Sequence, residues 1–182
     1  MMKWLALLAL GTLAACSTVP AAPVERPMDT PVTLDLAEVR KDLESGAEAK
    51  FGVVAFNRVR AASISIIAKR YFGLAPPPVL QPDGSYKDPE PPIALLVREN
   101  GQWLKATPTG WRPVTAPAAT ALDQALADPA FWKEPAFAPP TCTDAGASRL
   151  LLRFPDRPVT ARQGACGATA RTEHLVGLAL NA

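Results

Sequence analysis

The most constraining feature of the chain is the stretch 93–114, in which two tight turns separate three short runs of strand-forming residues. Residues 93–98 read as a strand, and Glu99-Asn100-Gly101 carries the Asn-Gly signal of a hairpin turn. Residues 102–107 form the returning strand. Pro108 to Gly110 then turn the chain into Trp111-Arg112-Pro113-Val114. Strands joined this tightly lie antiparallel, because a parallel neighbour needs a crossover of about a dozen residues or more. A meander therefore sits inside the fold, and other segments must cover it.

Those segments can be read from their spacing. Asp35 and Glu38 have the D-x-x-E arrangement that opens a helix. Leu36, Val39, Leu43 and Ala47 follow at helical spacing, with Arg40, Lys41, Asp42 and Glu44 turned outward. This predicts an amphipathic helix that ends near Ser45-Gly46 or one turn later. The apolar run 51–56 fits a buried strand or a continuation of the helix equally well. Residues 62–72 alternate as Ser63-Ile64-Ser65-Ile66, which favours a strand, although Ile64, Ile67, Ala68 and Tyr71 would also line a helix. A helix is expected over 118–127, limited by Pro129. Two strands, 149–154 and 159–163, are joined by Pro155-Asp156-Arg157-Pro158, with Leu150, Leu152 and Phe154 on one face and Arg149, Leu151 and Arg153 on the other. A last helix is expected over 172–180, capped by Thr172. The class is α+β: a small antiparallel sheet, made of the meander and a C-terminal hairpin, packed with two to four helices and held by one disulfide.

Proline marks what is not core. It supplies 20 of 182 residues against a usual share of about 5%. Pro20, Pro23, Pro27 and Pro31 fall in a segment with no core-forming period, which reads as an extended tether over 16–33. A second cluster spans 73–92, where Pro82-Asp83-Gly84 predicts a hairpin tip. The globular domain is expected over 34–182.

The first 15 residues have a different character. Lys3 precedes an apolar block from Trp4 to Leu10, and Leu13-Ala14-Ala15 then leads to Cys16. A basic start, a short apolar core and small residues before a cleavage point describe a signal peptide. The tetrapeptide ending at Cys16 resembles the lipobox of bacterial lipoproteins. The resemblance implies cleavage before Cys16, acylation of its thiol and anchoring in a membrane. Ser17 in place of an aspartate implies the outer membrane, with the domain facing the periplasm. With Cys16 lipidated, Cys142 and Cys166 remain as an even pair in an oxidising compartment and are expected to form a disulfide. That bridge would close a loop worth roughly 3.5 kcal/mol in the chain-entropy account.

The formal net charge of +2 falls close to zero without Lys3, so nothing points to nucleic acid as a partner. A lone histidine, His174, excludes a multi-histidine metal site, and no metal or cofactor is expected. A Ser–His pair would need His174 with Ser63, Ser65, Ser85 or Ser148. Glycan hydrolysis by paired carboxylates could draw on Asp123, Asp128, Glu134 and Asp144 beside Trp132. Each of these residues has a plainer reading as a surface, packing or helix-end group, and no catalytic constellation stands out. Trp103 and Trp111, flanked by Arg98 and Arg112, are the candidate binding surface, with core packing as the rival explanation. Arg149, Arg153, Arg157 and Arg162 could line a basic rim or simply face solvent. The expectation is a non-catalytic envelope module that binds a protein or glycan. A carboxylate-dependent hydrolase and a carrier of an apolar ligand are the alternatives.

Overall fold

Ile66 and Ile67 sit side by side on the middle strand of the sheet and point into two different cores. Alternation along a strand makes this possible, since neighbouring side chains leave opposite faces. The structure is a computed structural model that describes residues 35–74, 76–138, 146–165 and 169–182. The signal peptide, Cys16, the tether, Cys142, Asp144 and Cys166 lie outside the described residues.

Among the described residues the fold is α+β, with a six-stranded antiparallel sheet and four helices. The elements run α1 (Leu36–Ala61), β1 (Ile64–Arg70), β2 (Val79–Leu80), β3 (Tyr86–Lys87), β4 (Ile93–Glu99), β5 (Gln102–Thr107), β6 (Gly110–Pro113), α2 (Ala116–Ala127), α3 (Pro129–Lys133), β7 (Ser148–Phe154), β8 (Arg157–Gly164) and α4 (Ala170–Asn181). The sheet order is β6-β5-β4-β1-β7-β8, so the meander and the C-terminal hairpin lie on either side of β1. β2 and β3 pair only with each other, as a small hairpin around the turn expected at Pro82-Asp83-Gly84.

One face of the sheet is covered by α1. Val39, Leu43, Ala47, Phe56 and Val59 pack there on Ile67, Leu95, Val97 and Leu151. The other face carries α2, α3 and α4, whose Leu122, Leu126, Phe131, Leu175 and Val176 meet Ile66, Leu96, Trp103, Leu150 and Leu152. β4 is buried from Ile93 to Val97, which is why its sequence is continuously apolar instead of alternating.

Two expected boundaries are refined. The first helix runs past Gly46 to a break at Gly52, about one turn later, and helix resumes beyond it to Ala61, taking in the run 51–56. A kink makes this possible: Gly52 adopts φ 81° and ψ 161° inside the helix, a region open essentially to glycine alone. The kink resets the phase of the buried face. Phe56 and Val59 turn inward, and Val53 and Val54 are left exposed. The last helix starts at Ala170 with Thr169 as its N-cap, and Thr172 lies inside it, fully buried. Residues 64–70 form a strand, the favoured reading, because Ile66 and Ile67 are both buried only if the sheet is covered twice.

Candidate functional site

β1 has two ends, separated by roughly 20 Å at the usual rise per residue. A groove lies at its Ile64 end and a polar cluster at its Arg70 end.

At the Ile64 end, Arg98 and Trp103 are direct partners across the β4–β5 hairpin. Both therefore leave the same face of the sheet, toward α2. Asp123 of α2 receives both: the Trp103 indole N–H donates to Oδ1 at 2.8 Å, and Arg98 Nη2 donates to Oδ2 at 3.2 Å. Trp103 is itself buried. Arg98 keeps 35% of its side chain exposed and directs one nitrogen to Asp123. Ile64, Leu126, Ala127 and Phe154 complete an open groove of about 310 Å³ around this pair. The scale matches that of ligand-binding clefts.

The other two residues of the expected surface are not in this groove. Trp111 pairs with Ala106 and so leaves the opposite face, where the Arg58 guanidinium lies 4.8 Å from its ring centre. Arg58 is held there by a two-point bond to Glu99 at 2.9 and 2.6 Å. Arg112 donates to the main-chain oxygen of Ala182, which Lys105 also approaches. The structure brings together Arg98 and Trp103 and separates them from Trp111 and Arg112.

Two of the carboxylates considered for hydrolysis, Asp128 and Glu134, hold helices in place. Asp128 accepts from Ala130 N–H at 2.8 Å, capping α3, and pairs with Arg171 at 3.0 Å. Glu134 caps α4 from outside that helix, accepting from the N–H groups of Arg171 and Thr172 and from the Thr172 hydroxyl. Trp132 is half-buried and flanked by Phe131, Phe154 and Arg157, whose guanidinium lies 4.1 Å from the ring centre. His174 is exposed on α4 and lines an open surface hollow of about 380 Å³ with Arg70, Glu173 and Asn181, in which there is no serine. The four arginines do not form one rim. Arg149 turns toward α1, and Arg162 is 4% exposed on the other face, donating to the Glu134 carbonyl at 3.2 Å. Among the described residues no three ligand-type side chains converge on a metal position. The cavity between α1 and the sheet, beside Phe56 and Leu151, measures about 10 Å³, room for one water.

No family model, curated protein or solved structure matches the chain.

The polar cluster at the Arg70 end has no counterpart in the sequence pattern. Asp42, expected to face outward, instead accepts from Lys69 at 2.9 Å, from Arg149 at 2.9 Å and from the Tyr71 hydroxyl. The Tyr71 ring lies between two cations, with Lys69 4.5 Å and Arg149 4.7 Å from its centre. Burial pushes the Asp42 carboxyl up, but its three donors outweigh that and hold it below the usual carboxylate range. Burial and the bond to Asp42 raise the Tyr71 phenol. Burial opposes the Lys69 charge, yet the contacts with Tyr71 and Asp42 prevail and raise it. A lysine inside an apolar strand was the only available signal, and it names no partner. The cluster acts as a clamp between α1, β1 and β7.

Proposed function

We propose that this is a lipid-anchored lipoprotein of the outer membrane whose periplasmic domain is a non-catalytic binding module. The lipobox resemblance at Cys16 supports the anchor, and the even pair Cys142 and Cys166, read as a disulfide, fits an oxidising compartment. Among the described residues, no helix is long and apolar enough to cross a membrane.

The observation that carries the binding reading is the groove at Arg98 and Trp103. Apolar walls from Ile64, Leu126 and Phe154 surround a single part-exposed arginine oriented by Asp123. That combination suits a protein segment with an acidic residue next to an apolar one. A glycan is the poorer fit, because sugar rings stack on exposed aromatic faces, whereas Trp103 is buried and the half-buried Trp132 has Arg157 over its ring.

Photo-crosslinking tests this in intact envelopes. A crosslinking residue at the exposed Ala127, on the groove wall, should trap one repeatable protein neighbour that mass spectrometry identifies. A scatter of unrelated adducts would count against the reading.

A further inference from the structure

Three features meet at the Arg70 end of the sheet. The first is where the described chain begins. Asp42 of α1 bonds to Lys69 and Tyr71, and Gly46 lies against Ile93, whereas Arg58 reaches Glu99 at the far end. Asp35 lies two helical turns before Asp42, about 10 Å along the axis. Asp35, the first described residue, therefore lies at this end.

The second feature is an arm. Residues 72–74 and 76–92 leave β1 here and return to β4 here, and their root is fixed by Arg70 N–H to the Pro92 carbonyl at 3.0 Å and Tyr71 N–H to the Ala147 carbonyl at 2.7 Å. The third is what the arm exposes. Leu74 is 73% exposed, Leu80 59% and Tyr86 72%, with Val79 and Phe72 also open. Leu80 and Tyr86 are direct partners across the hairpin and share one face. A two-stranded hairpin is marginal by itself in water, so one that displays apolar side chains and pairs with no other strand calls for a covering surface.

We propose that this arm docks on the bilayer that holds the lipid anchor, with Leu80 and Tyr86 entering the boundary between headgroups and acyl chains. The proposal rests on the lipid-anchored reading of Cys16. The bilayer is favoured because the anchor delivers this end of the domain to it. A linker turns a second contact into an intramolecular one, so an arm too weakly apolar to recruit a free protein still holds a tethered one. Tyrosine suits that depth, with an apolar ring and a polar tip. Lys87 pairs with Glu90 at 2.6 Å and Asp83 accepts from Ser85, while Asp83 and the exposed Asp88 leave the arm net acidic, so its contact with the bilayer is through the apolar side chains. Docking here leaves the Arg98 groove at the opposite end, facing away from the membrane.

The test uses the full-length chain, matured in its own envelope, with a photo-crosslinking residue at Leu80, Tyr86 or, as the control, Ala127. All three positions are exposed, and each variant should keep the parental melting temperature. Phospholipid adducts at 80 and 86, several-fold above those at 127, are the expected result. Protein adducts at 80 and 86 would replace the bilayer with a protein partner and overturn the proposal. No adduct, or equal lipid labelling at 127, would overturn it as well. The same spectra report whether Cys16 is acylated. An acylated Cys16 without lipid labelling at the arm sinks the arm alone. An unmodified Cys16 sinks the anchor, and the labelling at 80 and 86 then decides the arm independently.

Discussion

The Asp42 carboxylate and the Arg149 guanidinium, 107 residues apart in the chain, meet at 2.9 Å. With Lys69 and Tyr71 they tie the first helix to β1 and β7. Replacing Asp42 by Asn keeps the shape and removes the charge that all three donors share. The expected loss is about 2 kcal/mol, the scale of hydrogen bonds to a charged group at a partly exposed site. In a domain of this size that lowers the melting temperature by roughly 5 °C. The effect should also depend on pH. The Asp42 carboxyl titrates below its ordinary value in the fold, so its stabilisation is complete above about pH 4 and fades as the pH falls through the folded value. Lys69 and Tyr71 titrate above their ordinary values, so their stabilisation is complete below about pH 10 and fades as the pH rises beyond it. Melting curves of Asp42→Asn and the parent should converge in acid. A constant gap down to about pH 2, below the folded value of a paired carboxylate, would show that the carboxylate charge plays no part.

Three glycines should respond differently to the same substitution. A Cβ on Gly146 would collide with the Tyr71 carbonyl, so Gly146→Ala must displace backbone and should cost about 3 kcal/mol. Gly52→Ala meets no neighbour but is strained at φ 81°, for about 1–3 kcal/mol. Gly46→Ala places its methyl in ordinary contact with Ile93 and Lys69 and should stabilise the helix by about 1 kcal/mol. Denaturant titrations of the three variants check the order. Equal effects at 46 and 146 would contradict the packing described.

Glu134 supports α4 from outside that helix and lies 3.9 Å from the buried Arg162. Glu134→Ala removes the cap and leaves Arg162 without its carboxylate, for an expected loss of about 3–5 kcal/mol. Glu134→Gln retains one acceptor oxygen and should lose less. Amide exchange in the first turn of α4 should rise in both variants, and an unchanged first turn would rule out the cap.

The cysteines make a covalent prediction. Mass spectrometry of the membrane-extracted protein should find an acylated Cys16 at its N-terminus, and Cys16→Ser should leave an uncut precursor. A peptide joining Cys142 to Cys166 should appear without reductant and vanish with it. Free thiols at both positions in envelope-derived protein would refute the bridge.

The parts of this fold that could be read in advance are those set by neighbours in sequence. Asn100 and Gly101 adopt positive φ in the β4–β5 turn, the conformation that an Asn-Gly hairpin requires. That turn fixes the register and places Arg98 beside Trp103. The second turn also decided Trp111: pairing with Ala106 sends it to the face opposite Trp103. What could not be read depends on distant partners. A helical wheel places Asp42 with Arg40 and Lys41 on the solvent side, and only β1 and β7 supply the donors that draw it in. The run 51–56 has no period of its own because the kink at Gly52 divides it. Glu134 and Asp123 resemble surface carboxylates until α4 and β5 are in place.

The central claim is that the groove beside Arg98 binds a protein in the envelope. The most direct measurement compares crosslinking from Ala127 in the parent and in Arg98→Gln, in intact envelopes, with melting curves confirming that the variant stays folded. The account predicts one repeatable protein neighbour whose yield falls about tenfold in the variant, the change expected when a charge-assisted contact is lost. An unchanged yield in Arg98→Gln, or peptidoglycan turnover by the purified domain that disappears on Asp123→Asn, would contradict it.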